Sequence, residues 1–295
     1  MSSLIEHIKE FVAWAESKQD PRVKDWPMMS SPVLPYTLSA LYLLIVWKGP
    51  HMMKNKKAYD LKYFMFAYNI CLVALSSFMF HEFIITAWPR PGFSWACADM
   101  DYSDDPMAVR LAGACWWFFF SKFIEFIDTF IFILRKKSNQ ISFLHVYHHS
   151  TMPILWWIGV KFVPGGQSFF TAMFNSLIHA IMYSYYLLSA LGPGMKPYLW
   201  WKKYLTSLQL AQFILGMFQT LTGLFVGCNY PKGYLYALVI YLFSHLVLFS
   251  NFFKKTYLKP RKTKHKQLHS NGQSSDNQNG YYNLKKTSKL IGKEL

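Results

Sequence analysis

Charge is scarce in this chain. Asp, Glu, Lys and Arg make up 16% of its 295 residues, where a soluble domain carries about 25%. That shortage argues against a water-soluble globular protein. Acidic residues are scarcer still, 15 against 31 Lys and Arg, for a formal net charge of +16. The excess does not spread over a soluble face, as nucleic-acid binding would require; it sits in short stretches between apolar runs and in the carboxyl tail. A secretory signal is not expected, because Met1–Asp20 mixes Glu6, Lys9, Glu10 and Glu16 among its apolar residues. Histidine clusters once, at His145-Val146-Tyr147-His148-His149, and nowhere else.

What is abundant points to a bilayer. Hydrophobic residues reach 53% and aromatic ones 19%, and Trp and Tyr favour membrane interfaces. At the amino end, Leu4, Ile8, Phe11 and Ala15 fall on one helical face. That pattern fits an amphipathic helix lying on the bilayer and, equally, an ordinary peripheral helix. Seven later segments are apolar over the ~20 residues needed to cross a ~30 Å core: 28–47, 63–88, 111–134, 141–160, 168–190, 204–226 and 233–253. Lys122, Glu125 and Asp128 interrupt the third. The expected class is an all-α integral membrane protein with seven transmembrane helices. Residues 1–27 precede the spans, 28–254 contain them, and 255–295 form a basic tail too polar to offset its ordering entropy. Its run at 259–266 suits anionic lipid head groups.

Lys and Arg divide unequally between alternate loops. One side holds Lys48, Lys54, Lys56, Lys57 and Lys62, then Arg135, Lys136 and Lys137, then Lys196, Lys202 and Lys203, then the tail; the other holds the amino-terminal basic residues, Arg90, Arg110, Lys161 and Lys232. The positive-inside rule puts the tail in the cytosol and the amino terminus across the membrane. Cys97 and Cys228 then fall in two loops of the non-cytosolic side. An oxidising lumen would join them as a disulfide, and otherwise they are two free thiols.

His145, His148 and His149 share one helical face, just inside the cytosolic surface. Polar groups at such depth mark function by default. Lys122, Glu125 and Asp128, at i, i+3 and i+6 with Thr129 beside them, read as a self-paired cluster closing a bundle interface, with direct catalysis the alternative. Asn175, His179 and Tyr183 share a face of the fifth span, with Tyr186 following, and Gln209 and Gln212 recur at i+3 in the sixth. Span amides commonly join helices. His81 and His245 stand alone and read as structural. A di-iron centre of the desaturase kind needs several histidine clusters and fails on ligand number. A single zinc on His145, His149 and His179 remains open. The other use of neutral imidazole is as nucleophile or base.

Four blocks occur in order: Lys122-xx-Glu125-xx-Asp128-Thr129, His145-xx-His148-His149, Asn175-xxx-His179-xx-Met182-Tyr183-Ser184-Tyr185-Tyr186, and Thr206-xx-Gln209-xx-Gln212. In them the chain resembles the very-long-chain fatty acid elongases, the 3-oxoacyl-CoA synthases of the endoplasmic reticulum membrane, across residues 20–258. The resemblance implies seven spans, six forming a barrel around an acyl tunnel open to the cytosol. It implies condensation of a long acyl-CoA with malonyl-CoA to a 3-oxoacyl-CoA two carbons longer, with no cofactor or metal. Expected partners are these substrates, membrane lipids, the reductases and dehydratase of the cycle, and a second copy of the chain. Neither Cys71 nor Cys115 lies beside a base in sequence, so His148 is the expected nucleophile. His145 and His149 would orient or deprotonate it, and His179 with Asn175 would stabilise oxyanion or enolate. Lys122, Glu125, Asp128, Tyr183, Tyr186, Gln209 and Gln212 would line the substrate path. Lys136, Lys137, Lys202 and Lys203 would meet the CoA phosphates. Gln140 resembles the branch acting on polyunsaturated and very long chains, whereas His81-Glu82 departs from an Arg-Glu-like pair in close relatives. A seven-span zinc hydrolase of lipid amides and a seven-span receptor or transporter are the alternatives.

Overall fold

The computed structural model describes residues 2–88 and 94–258, the side chains from Ile5 onward. Arg90 and the basic run at 259–266, with the rest of the tail, lie outside the described residues. Within them the fold is entirely helical: α1 (Ser2–Ser17), α2 (Val33–Met52), α3 (Lys62–Ala87), α4 (Pro106–Ile124), α5 (Phe126–Leu134), α6 (Phe143–Phe162), α7 (Phe169–Ala190), α8 (Lys202–Val226) and α9 (Lys232–Phe253). Among the described residues, three helical stretches are long and apolar enough to cross a membrane: Lys62–Ala87, Lys202–Val226 and Lys232–Leu258. Each of the other expected spans is helical too, but it is shorter, interrupted or richer in polar residues.

Sequence and structure differ at several boundaries, each for a local reason. The segment expected as one helix from 111 begins at Pro106, where the Asp105 carboxylate accepts from the Met107 and Ala108 N–H groups. It breaks at Glu125, where the Asp128 N–H turns to Glu125 O at 3.1 Å, a tightened turn separating α4 from α5. The helix expected from residue 28 starts at Val33 instead. The preceding stretch is fastened to the end of α6, with Asp20 N–H on Lys161 O and Lys161 Nζ on Met29 O. Lys161, expected in a loop, is thus a buried residue of the last turn of α6. Of the apolar face expected on α1, Ile8 and Phe11 are exposed and Ala15 is half-buried; the side chain of Leu4 lies outside the described residues.

The helices neighbour one another in a cycle. α3 packs on α4, α4 on α6, α6 on α9, α9 on α8, α8 on α7, and α7 on α3, the most extensive pairing of all. α2 lies against α6 and α5, its Gly49 so close that a Cβ there would sit 2.9 Å from the Ile133 side chain. The main core joins Met79 and Phe83 of α3 with Phe118 and Phe119 of α4, Trp157 of α6 and Phe169 of α7.

One end is tied by polar contacts. Gln167, fully buried, accepts from the Ala98 N–H and donates to Ala96 O and Gln219 O. Cys97 and Cys228 are joined as a disulfide, which fixes the segment after α3 to the α8–α9 turn. Arg110 of α4 grips Glu82 of α3 with two hydrogen bonds of 2.6 and 2.9 Å. The partner of Glu82 therefore comes from the next helix, while exposed His81 stays at its edge, 3.5 Å away.

Candidate active site

Ser142 caps α6, its Oγ accepting from the His145 N–H at 3.2 Å. That cap sets the phase of the first two turns and presents His145, His148 and His149 together. The His145 and His149 ring centroids are 4.3 Å apart, and those of His148 and His149 5.2 Å. Pro153 inside the same helix has no N–H to give the His149 carbonyl four residues back.

Around them the charged block resolves into separate pairings. Buried Lys122 donates to Glu125 Oε1 at 2.7 Å, and its ammonium lies 4.2 Å from the Phe118 ring centre. The self-pairing expected of this block therefore falls to Glu125. Asp128 turns away and accepts from the Tyr183 hydroxyl at 2.8 Å. His179 Nδ1 lies 3.2 Å from the same Glu125 oxygen, but without hydrogen-bond alignment, so that nitrogen is a near neighbour rather than a bonded partner. Thr129 Oγ1 holds His145 Nε2 at 2.7 Å and is itself 3.1 Å from the Tyr42 hydroxyl. Glu125 thus reaches toward His179 of α7, while Thr129 orients His145 of α6.

His148 faces a cavity of about 40 Å³. Its walls come from five helices: Phe118 of α4, Met152 and Trp156 of α6, Asn175 of α7, Gln212 and Phe213 of α8, and Leu238 and Leu242 of α9. It is mostly apolar. His148 lies 6.4 Å from His179, ring centre to ring centre. Asn175 Oδ1 and Gln212 Oε1 are buried without a partner.

Other expected site residues are less involved in this cavity. Gln209 donates weakly to Met182 Sδ at 3.6 Å. Tyr186 is partly exposed and packs on Tyr183. Lys136 is bonded to Lys54 O, Lys203 leans over Phe253, and Lys202 is exposed; Lys137 is half-buried beside Lys136. For a metal, three ligand-type atoms come within 4.8 Å of one another, among the described residues, only at Cys97, Asp99 and Cys228. Both of those sulfurs are committed to the disulfide. The proposed zinc trio does not converge: His145 Nε2 is held by Thr129, and His179 Nδ1 is turned to Glu125. One residue taken as structural from the sequence, His245, lies on the cavity wall. A lone histidine in an apolar run carried no local signal of that placement.

Residues 27–265 match the profile of the ELO: GNS1/SUR4 family. The chain belongs to the ELO family. It is 47% identical over 279 residues to very long chain fatty acid elongase 4 of Mus musculus, covering 95% of this chain and 89% of the relative. Against the Homo sapiens elongase 4 it is 46% identical over 276 residues, with 94% and 88% covered. Very long chain fatty acid elongase 5 of Tachysurus fulvidraco is 44% identical over 271 residues, with 91% and 90% covered. The expected kinship with very-long-chain elongases is borne out, and with it the reading of this ELO chain as an enzyme of that kind. These relatives are neither hydrolases nor receptors by name.

Proposed function

We propose that this ELO-family protein is a 3-oxoacyl-CoA synthase of the endoplasmic reticulum membrane, joining a long acyl-CoA to malonyl-CoA. The observation that carries the reading is the placement of His148 on a narrow, mostly apolar cavity, with Asn175 on the same wall and His179 close by. The thioester end of the acyl-CoA enters this cavity and meets the ring. A nitrogen of His148 attacks the thioester carbon, the C–N bond forms as the C–S bond breaks, and CoA departs. Malonyl-CoA then loses CO2, its enolate carbon bonds to the acyl carbon as the C–N bond breaks, and the ring nitrogen so released takes from solvent the one proton that the overall condensation consumes. Asn175, through its amide N–H group, and His179, through a ring N–H, donate hydrogen bonds to the oxyanions of both steps. Thr129 and His149 hold His145 and His148 in place.

The same proposal includes seven crossings, with α4 and α5 sharing one, and a six-helix barrel around the acyl tunnel; the neighbour cycle from α3 through α9 supports it. The carboxyl tail lies in the cytosol, where Lys136, Lys137, Lys202 and Lys203 meet CoA phosphates. The substrates suffice without a cofactor, and the 3-oxo product passes to reductases and a dehydratase.

Incubation of the purified protein with a long acyl-CoA and no malonyl-CoA tests the covalent step. Peptide mass analysis is expected to find one acyl group on His148 and none in His148→Ala. Labelled malonyl-CoA added afterwards should release the adduct as a product two carbons longer. Elongation without any adduct would replace this scheme with direct condensation.

A further inference from the structure

Four buried polar atoms without a partner gather on the cavity of His148: Thr171 Oγ1 and Asn175 Oδ1 from α7, Gln212 Oε1 from α8 and His245 Nε2 from α9. A buried polar atom left unpaired loses its hydration without a bond in return. Packing alone does not explain four on one wall, and native interiors satisfy nearly all such groups. Of the four, only His245 offers a nitrogen base.

Its orientation is fixed from the other side of the ring. His245 Nδ1 lies 3.0 Å from the Tyr241 carbonyl oxygen. A carbonyl only accepts, so the hydrogen is on Nδ1, and the neutral ring presents a bare lone pair at Nε2. The residue is 1% exposed. α9 is latched to α6 at this level by Tyr147 OH with Ser244 Oγ at 2.9 Å and Thr151 Oγ1 with Tyr241 OH at 2.8 Å. These contacts set the His245 ring 5.5 Å from that of His148, edge to face.

We propose that His245 is a general base of the acyl-transfer step, an inference that rests on His148 as the nucleophile. When a His148 nitrogen bonds to the acyl carbon and the C–S bond breaks, the acylated ring carries a positive charge and a surplus proton. That proton passes to His245 Nε2, leaving a neutral acyl-imidazole on His148 and an imidazolium at His245. The imidazolium then gives the proton to the departing CoA thiolate and returns to neutral. No oxidant, metal or further reactant enters. The Tyr241 carbonyl also stabilises the intermediate charge, because it receives the Nδ1 hydrogen throughout.

The test measures acyl-His148 formation in single turnover with a long acyl-CoA, comparing wild type with His245→Phe. Phenylalanine keeps a ring against Phe213 and Tyr241, where His245 now packs at 5.6 and 4.3 Å between centroids, and removes both nitrogens. With the unfolding midpoint preserved, the variant should form the adduct about 100-fold more slowly, within the usual range for a general base. In His245→Ala, added imidazole should restore much of the rate, whereas toluene, which fills the same space without a nitrogen, should not. An adduct forming in His245→Phe less than about tenfold more slowly than in wild type overturns the assignment, as does equal rescue by toluene. Should His245→Phe fail to fold, His245→Gln is judged by the same threshold. Absence of any adduct in wild type removes the His148 reading and this one together; an adduct with an unimpaired variant removes only this one.

Discussion

Lys122 is almost completely buried, and what makes it tolerable is Glu125, one helical turn away with an oxygen at 2.7 Å. The aromatic face of Phe118 beneath the ammonium adds to this. Removing the carboxylate leaves the cation without compensation. Glu125→Gln is therefore expected to destabilise the protein by about 3–5 kcal/mol, seen as a lower unfolding midpoint in detergent. Adding Lys122→Met should recover a large part of that loss, because no unpaired charge then remains. Equal stability of the single variant and wild type would show that the pair is dispensable. Because Glu125 Oε1 also lies 3.2 Å from His179 Nδ1, the double variant should regain stability without regaining full turnover.

Elements meet closely where a side chain would intrude. A Cβ on Gly223 of α8 would lie 2.5 Å from Gln167 Nε2 and 2.9 Å from its Cδ. Gln167 has nowhere to go, since it is bonded to Ala98, Ala96 and Gln219. Gly223→Ala should cost about 1–3 kcal/mol by overpacking. The same change in a Gln167→Ala background should cost much less, a coupling that a double-mutant cycle of unfolding midpoints measures. The break between α4 and α5 has a different kind of consequence. Turning the chain at Glu125 gives Lys122–Glu125 and Asp128–Tyr183 separate partners, where the bare i, i+3, i+6 spacing suggested a single cluster.

Across the whole molecule, the disulfide ties residues 131 positions apart. Constraining so long a loop in the unfolded chain is worth about 2–4 kcal/mol. Cys97→Ser should lower the unfolding midpoint accordingly. Reductant should bring wild type down to the same value and leave the variant unchanged; a variant that falls further with reductant would contradict this. The pairing also ties the segment after α3 to the turn between α8 and α9, two stretches joined as well by Met100 N–H on Asn229 O and by Asn229 N–H on Asp99 Oδ1.

Helix-forming apolar segments, the three imidazoles on one face and the polar stripe of Asn175, His179 and Tyr183 were all legible from the amino-acid order, because helical periodicity is a local property. The four ordered blocks were enough to indicate the ELO family. Partner choice was not legible, since it depends on which helices become neighbours. Glu82 finds Arg110, Asp128 finds Tyr183, and His145 finds Thr129 only through helix packing. His245 is the clearest case. One histidine in an apolar helix looks like a packing residue, and nothing beside it in the chain says otherwise. Only the seating of α9 against α6 and α8, with Nδ1 tied to Tyr241, turns Nε2 toward the cavity of His148. Local sequence determined which faces were polar; the tertiary contacts decided which of those polar atoms met one another.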